Sequence, residues 1–452
     1  MCALSPQDPG RSRYLVYECR FLEGELDDVS IRSAFADVVS RHDALRLVFD
    51  FVGYDPTLHI DSAVEPPVEF IDLSTVSESR QRARLEQLVF DANRVCFDLR
   101  AGPPWRAWLI RVGAATHYLM LSFAHVVVDA WSRYIFVRDL IAAYGARVGR
   151  LPPLPDNRPS FAEIHATQTR RLEPSPDRLR YWRSGLLPLQ EGAAFTLRDA
   201  PPGADLLARS RITFPLPATA AQLKRVAWRA RTTPFVALMA AYQVLLSVLT
   251  GRERTVIAGG TLARPTTSER EAIGQFVNDV FVPVHVRDGS SLLNVAIETH
   301  RAFAGGLENM VPYKALARAL NPAFESNRPW AQCHLHDGIF YQGLDDVDLE
   351  LARIRVSPGQ IPSAPPANHV PELVAADLTD RLRPVYEAWC GPRMVVSTRQ
   401  GKAVLLFNKE VQAPEAMRTL RDRYLSIVET LVNSPETTVG ALRRRHGSHS
   451  VA

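Results

Sequence analysis

The stretch FAHVVVDAWS, Phe123 to Ser132, sets one histidine four residues before one aspartate at the end of an apolar run. An unperturbed imidazole titrates near pH ~6.5, so His125 could take up and release a proton at neutral pH. It could then serve as a catalytic base that Asp129 helps to set up. A histidine and an aspartate at this spacing also occur as the polar edge of a buried strand, and the pair alone leaves both readings open. Other chemistry is less well supported. His334 and His336 in HLHDG fall on one strand face, but no third ligand stands at a readable spacing, so no metal site is expected. The glycines of IAGG, Gly259 and Gly260, lack both the dinucleotide and the P-loop pattern.

The surrounding pattern says what must position the pair. WRAWLIRV (105–112) and HYLMLSFAHVVV (117–128) are apolar runs joined by a short turn, and they predict a strand pair whose second member is central in a sheet. After Asp129 the period changes. Trp131, Ile135, Phe136, Leu140, Ile141 and Tyr144 line one helical face. His125 to Asp129 therefore falls where a buried strand hands over to a helix, a common place for exposed site residues. Upstream, Ile31, Ala34, Phe35, Val38 and Val39 predict a helix capped by Asp27 or Asp28 and ending near Arg41, after which ALRLVF looks extended.

LPPLPDNRP (151–159) reads as a linker, and a second set of elements follows it. A buried helix opens on Thr233 and Pro234 and closes at Gly251. Strands are expected at 280–286, 331–342, 351–357, 392–399 and 402–408, and helices at about 290–307, 312–320 and Pro414 to Val432. Strands and helices mix without regular βαβ alternation, which predicts an α+β fold in two lobes, 1–158 and 159–452.

Composition narrows the class. Of 452 residues, 46% are hydrophobic and 23% charged, enough for a sizeable core. The net charge of +4 is far from the concentrated basic stripe of a nucleic-acid binder. The run RRRHGSH (443–449) reads as a solvated tail. Cys2, Cys19, Cys96, Cys333 and Cys390 are odd in number and widely spaced, so neither a disulfide framework nor a zinc site is expected. No basic-then-apolar leader opens the chain, and no apolar run reaches the ~18–20 residues of a membrane span. A cytoplasmic protein bound to neither membrane nor nucleic acid is the expectation.

Several segments taken in order resemble the condensation domains of nonribosomal peptide synthetases. RHDALRLVF (41–49) is similar to the family's Arg-His-Glu-x-Leu-Arg segment, and FDLRAGPPWRAWLIRV (97–112) to its Phe-Asp-Leu-x-x-Gly-Pro stretch. AHVVVDAWS (124–132) stands where the family carries His-His-x-x-x-Asp-Gly-x-Ser. YWRSGL (181–186), IGQFVNDV (273–280) and VPYKALARAL (311–320) follow in the family's order. There are departures. The first helix of the family is cut short after ALSPQ (3–7), the first histidine is Ala124, and the glycine after the aspartate is Ala130. Cyclising relatives carry Asp at the place of Ala124, so heterocyclisation is not favoured.

The resemblance implies two lobes like chloramphenicol acetyltransferase, set in a V with the site in a tunnel between them. It implies an acyl or aminoacyl donor held by the phosphopantetheine arm of an acyl- or peptidyl-carrier protein, and a small-molecule amine or alcohol acceptor. No permanently bound cofactor is implied. The product would be an amide or an ester, and the enzyme freestanding. His125 is then the proton acceptor. Asp129 supports the site by pairing with an arginine, for which Arg46 is the best match. Ala130, Trp131, Gln275 and Asn278 are candidates for the oxyanion site or the tunnel wall. At Ala130 either the local φ is negative or the tunnel is reshaped. Tyr181 and Trp182 are expected to pack the lobe junction. Two alternatives stay open: an inactive condensation-like domain that recruits a partner enzyme to a carrier, and a coenzyme-A-dependent acyltransferase.

Overall fold

The computed structural model describes residues 11–12, 15–52, 55–155, 160–186, 209–261, 263–320, 338–341, 349–359, 392–398, 401–410 and 412–446. The chain forms two compact units that exchange segments. The first comprises 1–171, 262–277 and 344–371, and the second 172–261, 278–343 and 372–452. The expected linker at 151–159 falls partly on residues outside the description.

In the first unit a six-stranded sheet runs, edge to edge, Leu349–Leu351, Ile354–Pro358, Leu15–Glu23, Thr116–Ala124, Trp105–Gly113 and Val68–Asp72. Only Val68–Asp72 pairs in parallel. The central position of Thr116–Ala124 explains its apolar run, since both of its faces are covered. On one face Leu119, Leu121 and Phe123 pack with Phe35 and Val38 of the helix Asp28–Arg41 and with Phe136 and Leu140 of the helix Ala130–Arg147. On the other, Met120 meets Leu85, Leu88 and Val89 of the helix Glu78–Ala92. Burying a side chain of this size stabilises by about 1.5–3 kcal/mol, which is why the two runs hold their register.

The second unit has its own six-stranded sheet: Asn278–His285, Arg254–Thr261, Gly338–Tyr341, Arg393–Ser397, Lys402–Asn408 and Arg209–Pro215. The helix Pro234–Thr250 is buried for almost its full length. Thr233 caps it, Pro234 stands in its first turn, and Gly251 ends it at φ 71°, a left-handed conformation that glycine adopts without a Cβ penalty. α+β is thus the class of both units.

Local differences have simple causes. Residues 44–46 do not extend; Asp43–Arg46 form a 3-10 turn before the strand Leu47–Val52. The central strand stops at Ala124 and not at Val128, because the Val127 N–H turns back to the Ala124 carbonyl at 3.1 Å. Strand 351–357 is a hairpin that turns at Ala352 and Arg353, both at positive φ. The C-terminal run is anchored through Arg443. In the helix Val439–His446, Arg443 donates to the Gly251 carbonyl at 2.8 Å and to Ser247 Oγ at 2.7 Å.

Candidate acyl-transfer site

His125 stands in the turn that leaves the central strand, four residues before the helix Ala130–Arg147. It is partly accessible at its edge yet enclosed by protein on most sides. Burial pushes its pKa down to about 4, opposed by a hydrogen bond with its own backbone and by the charge of Asp129, and reinforced by Arg133. At neutral pH the imidazole is therefore uncharged and able to accept a proton.

Asp129 is fully buried and does different work. It sits in extended conformation as the N-cap of the helix, and its Oδ1 accepts from Ser132 N–H and Ser132 Oγ, both at 2.8 Å. Its charge partner is Arg264, not Arg46. Arg264 Nη2 donates to Asp129 Oδ1 at 2.8 Å and Oδ2 at 3.0 Å. The Arg46 guanidinium instead turns to Asp43, three residues back in the 3-10 turn, at 2.6 Å. Local pairing wins there because the i,i+3 carboxylate needs no tertiary contact to reach.

Arg264 belongs to the segment 263–277, which this cluster ties down. The guanidinium also donates to Ser132 Oγ at 2.8 Å, to the carbonyls of Ala272 (2.6 Å), Gly274 (3.2 Å) and Glu269, and stacks 3.9 Å over the Phe276 ring. From the same segment Phe276 N–H reaches Asp129 Oδ2 at 3.1 Å, and Gly274 N–H reaches Ser132 Oγ at 3.0 Å. Two further bonds extend the seam: Trp131 Nε1 to the Arg270 carbonyl at 2.7 Å, and Arg138 to Glu271 at 2.6 Å. Arg138 also grips Asp139, which accepts from buried His42 at 2.9 Å. Burial opposes ionisation of Asp139, but His42 and Arg138 together hold its carboxyl below the usual range.

The other expected residues distribute as follows. Ala130 is the exposed first residue of the helix and is not among the positive-φ residues, so the methyl in place of glycine costs no backbone strain. Its N–H lies in the first turn, where helix geometry leaves donors without an intrahelical acceptor. Gln275 is half-buried between Gly274 and Phe276, both bonded to the Asp129–Ser132 cluster. Asn278 belongs to the second unit, where Nδ2 donates to the Val311 carbonyl at 3.1 Å. Trp182 is buried inside the second unit, its Nε1 donating to the Asn309 carbonyl at 2.7 Å and its ring set edge-on to Phe281. His334 and His336 lie outside the described residues. Among the described residues, no group of three or more His, Cys, Asp or Glu side chains is placed to hold a metal ion, and no single helix is long and apolar enough to cross a membrane. Ser132 closes the AHVVVDAWS segment already matched to the family motif, and Arg264 is the cluster member that motif spacing missed.

Comparison with known proteins points the same way. The family model for the condensation domain matches residues 1–333. Phosphinothricin tripeptide synthetase PhsC from Streptomyces viridochromogenes is 29% identical over 69% of this chain and 29% of its own length. An isonitrile lipopeptide synthase from Mycobacterium tuberculosis is 29% identical over 67% of this chain and 12% of its own. The chain thus spans less than a third of the curated relatives it matches. Among solved structures, SgcC5 from Streptomyces globisporus superposes with a TM-score of 0.70 at 23% identity over 94% of both chains. The starter condensation domain of rhizomide synthetase, in complex with C8-CoA and Leu-SNAC, gives 0.72 at 17% identity over 95% and 92%. The X-domain bound to OxyB from teicoplanin biosynthesis gives 0.72 at 20% over 95% and 90%. At these identities the likeness establishes the fold, that of chloramphenicol acetyltransferase-like condensation domains.

Proposed function

The chain belongs to the condensation-domain family of nonribosomal peptide synthesis, and on that premise we propose that it is an acyltransferase joining a carrier-bound acyl or aminoacyl group to an amine or alcohol. The donor is the phosphopantetheine thioester of an acyl- or peptidyl-carrier protein, and the product an amide or ester. The observation that carries the reading is His125: an uncharged imidazole in a strand-end turn whose following residues are pinned by the Asp129–Arg264 cluster. The acceptor nitrogen or oxygen bonds to the thioester carbonyl carbon as its proton passes to His125. Collapse of the tetrahedral intermediate breaks the C–S bond, and the sulfur leaves with a proton returned by the imidazolium. An α-amine is partly neutral near pH ~8 and leans less on the base than a hydroxyl does.

Asp129 acts through the loop, and its carboxylate is already engaged by Ser132, Arg264 and Phe276. Ala130 and Trp131, at the start of the helix beside this loop, and Gln275, in the pinned segment, are the first-unit candidates for lining the substrate path. Asn278 is the candidate from the second unit. The two compact units support a reading as two acyltransferase-like lobes that exchange segments.

The test is to offer an acyl-loaded carrier protein, and separately the acyl-coenzyme A, with a panel of amines and alcohols to wild type and His125→Ala. Turnover from the carrier that falls at least a hundredfold in the variant is expected. Turnover unchanged by the substitution removes the base assignment, and turnover from coenzyme A alone replaces the donor. A recruiting role is the second reading, favoured by Ala124 and by the likeness to the X-domain bound to OxyB. Carrier binding without turnover would select it.

A further inference from the structure

The first unit buries a second set of charges close to the same loop. Alternation along Leu15–Glu23 places Glu18 and Arg20 on the face covered by the helix Ala130–Arg147. Arg133 of that helix donates to Glu18 Oε2 at 2.6 Å, and Glu18 Oε1 lies 2.6 Å from Arg20 Nε. All three side chains are buried, Arg20 to 4% exposure. Among the described residues, Arg20 Nη1 has no hydrogen-bond partner. A guanidinium is always charged, and leaving a buried donor unmet is costly. This donor is open to an acceptor that the described residues do not supply.

Its position indicates where that acceptor comes from. The neighbouring strand Ile354–Pro358 pairs with Arg20 to Glu23, and Gly359 N–H donates to the Cys19 carbonyl at 2.9 Å. From there Leu15–Glu23 continues beside the central strand until Leu15 faces Ala124, the residue before His125. Glu18 is three residues and Arg20 five residues along from Leu15, roughly 10 and 17 Å of strand. Arg133 is also close enough to bear on the His125 imidazole.

Resting on the acyl-transfer reading, we propose that Arg20, together with Arg133 as set by Glu18, binds a carboxylate carried by one of the two substrates at its end remote from the reacting carbonyl. A purely structural triad would show no preference for such a substrate.

The test uses donors of one chain length ending in a carboxylate, its methyl ester or its primary amide, and acceptors with free or esterified carboxylates. In one of these two series the wild type should show a KM about tenfold or more lower for the carboxylate than for the ester, the size of one charged hydrogen bond. The series that responds identifies the substrate. In Arg20→Met the ratio should collapse towards one, and Arg20→Lys should retain part of it. Equal handling of acid and ester in both series by the wild type overturns the proposal even if the variants fail to fold, and so does a ratio that survives in Arg20→Met. If no donor turns over, pimelate is the probe. A concentration-dependent rise in the melting temperature of wild type, absent in folded Arg20→Met, keeps the site while the function reading fails; no rise in wild type overturns the site.

Discussion

Two halves of one short motif stand in opposite physical situations. Asp129 is fully buried, and its two oxygens are taken up by Ser132, Arg264 and the Phe276 amide. His125, four residues earlier, sits in a turn with an accessible edge and is held uncharged by its surroundings. A group already engaged by several donors has little left to offer a substrate. A neutral base at the mouth of a strand has its chemistry still available. In the proposed reaction the aspartate fixes where the turn stands, and the histidine uses that place.

The comparison breaks first at His125. His125→Ala should lower turnover by about 10²–10⁴-fold, the usual contribution of a positioned base, and leave the melting temperature close to wild type. A large loss of stability would mean that the histidine is a packing residue like its neighbours.

Asp129→Ala should show the reverse. Removing one partner of a buried ion pair leaves Arg264 uncompensated and costs about 3–5 kcal/mol, visible in chemical denaturation. Arg264→Met should cost at least as much, because it leaves the buried Asp129 charge uncompensated and removes the donor to the carbonyls of Ala272 and Gly274. A soluble Asp129→Ala with wild-type melting and no activity would move the aspartate into the chemistry.

Sequence reasoning reached one side of this cluster and not the other, for reasons of distance. The His125 turn, the helix after it and the ends of several helices were legible because their signals are local. Asp27, Thr233, Pro234 and Gly251 cap where their side chains or φ preferences say they should. Arg264 lies 135 positions from Asp129 in a stretch whose own pattern carries no strand or helix period. Nothing local distinguishes it from other arginines, and HDALR drew attention to Arg46 because it sits inside a recognisable motif. Glu18 and Arg20 were hidden for a related reason. Charged residues in a β-run look like a solvated face until the helix that covers them is in place.

The pH dependence sharpens the comparison at lower amplitude. The folded pKa of His125 is about 4, below the ~6.5 of an unfolded histidine. Its contribution is fully present above pH ~6.5. As pH falls below that value the unfolded chain binds the proton first, and stability is lost progressively down to about pH 4, below which the folded protein protonates too. His117, whose pKa burial and then Arg111 depress, adds a loss of the same sign. Denaturation midpoints measured from pH 7 to 4 should therefore fall less steeply in His125→Gln than in wild type. An identical slope would show that the imidazole is already hydrated in the fold, against the enclosure seen around it.

The smallest effect is expected at the rim of the seam. Trp131 Nε1 donates to the Arg270 carbonyl at 2.7 Å, while its ring is only half-buried and lies 5.9 Å from Tyr134. Trp131→Phe keeps most of the apolar contact and loses one hydrogen bond at a site water can reach, so about 1 kcal/mol of stability should be lost. Arg264 alone makes enough bonds to Asp129, Ser132 and the carbonyls of Ala272 and Gly274 to hold the segment in place. If turnover falls much further than stability in Trp131→Phe, the indole meets substrate. If stability falls by several kcal/mol, the seam is held along its whole length, and the contrast between a saturated aspartate and a working histidine extends over the entire segment 263–277.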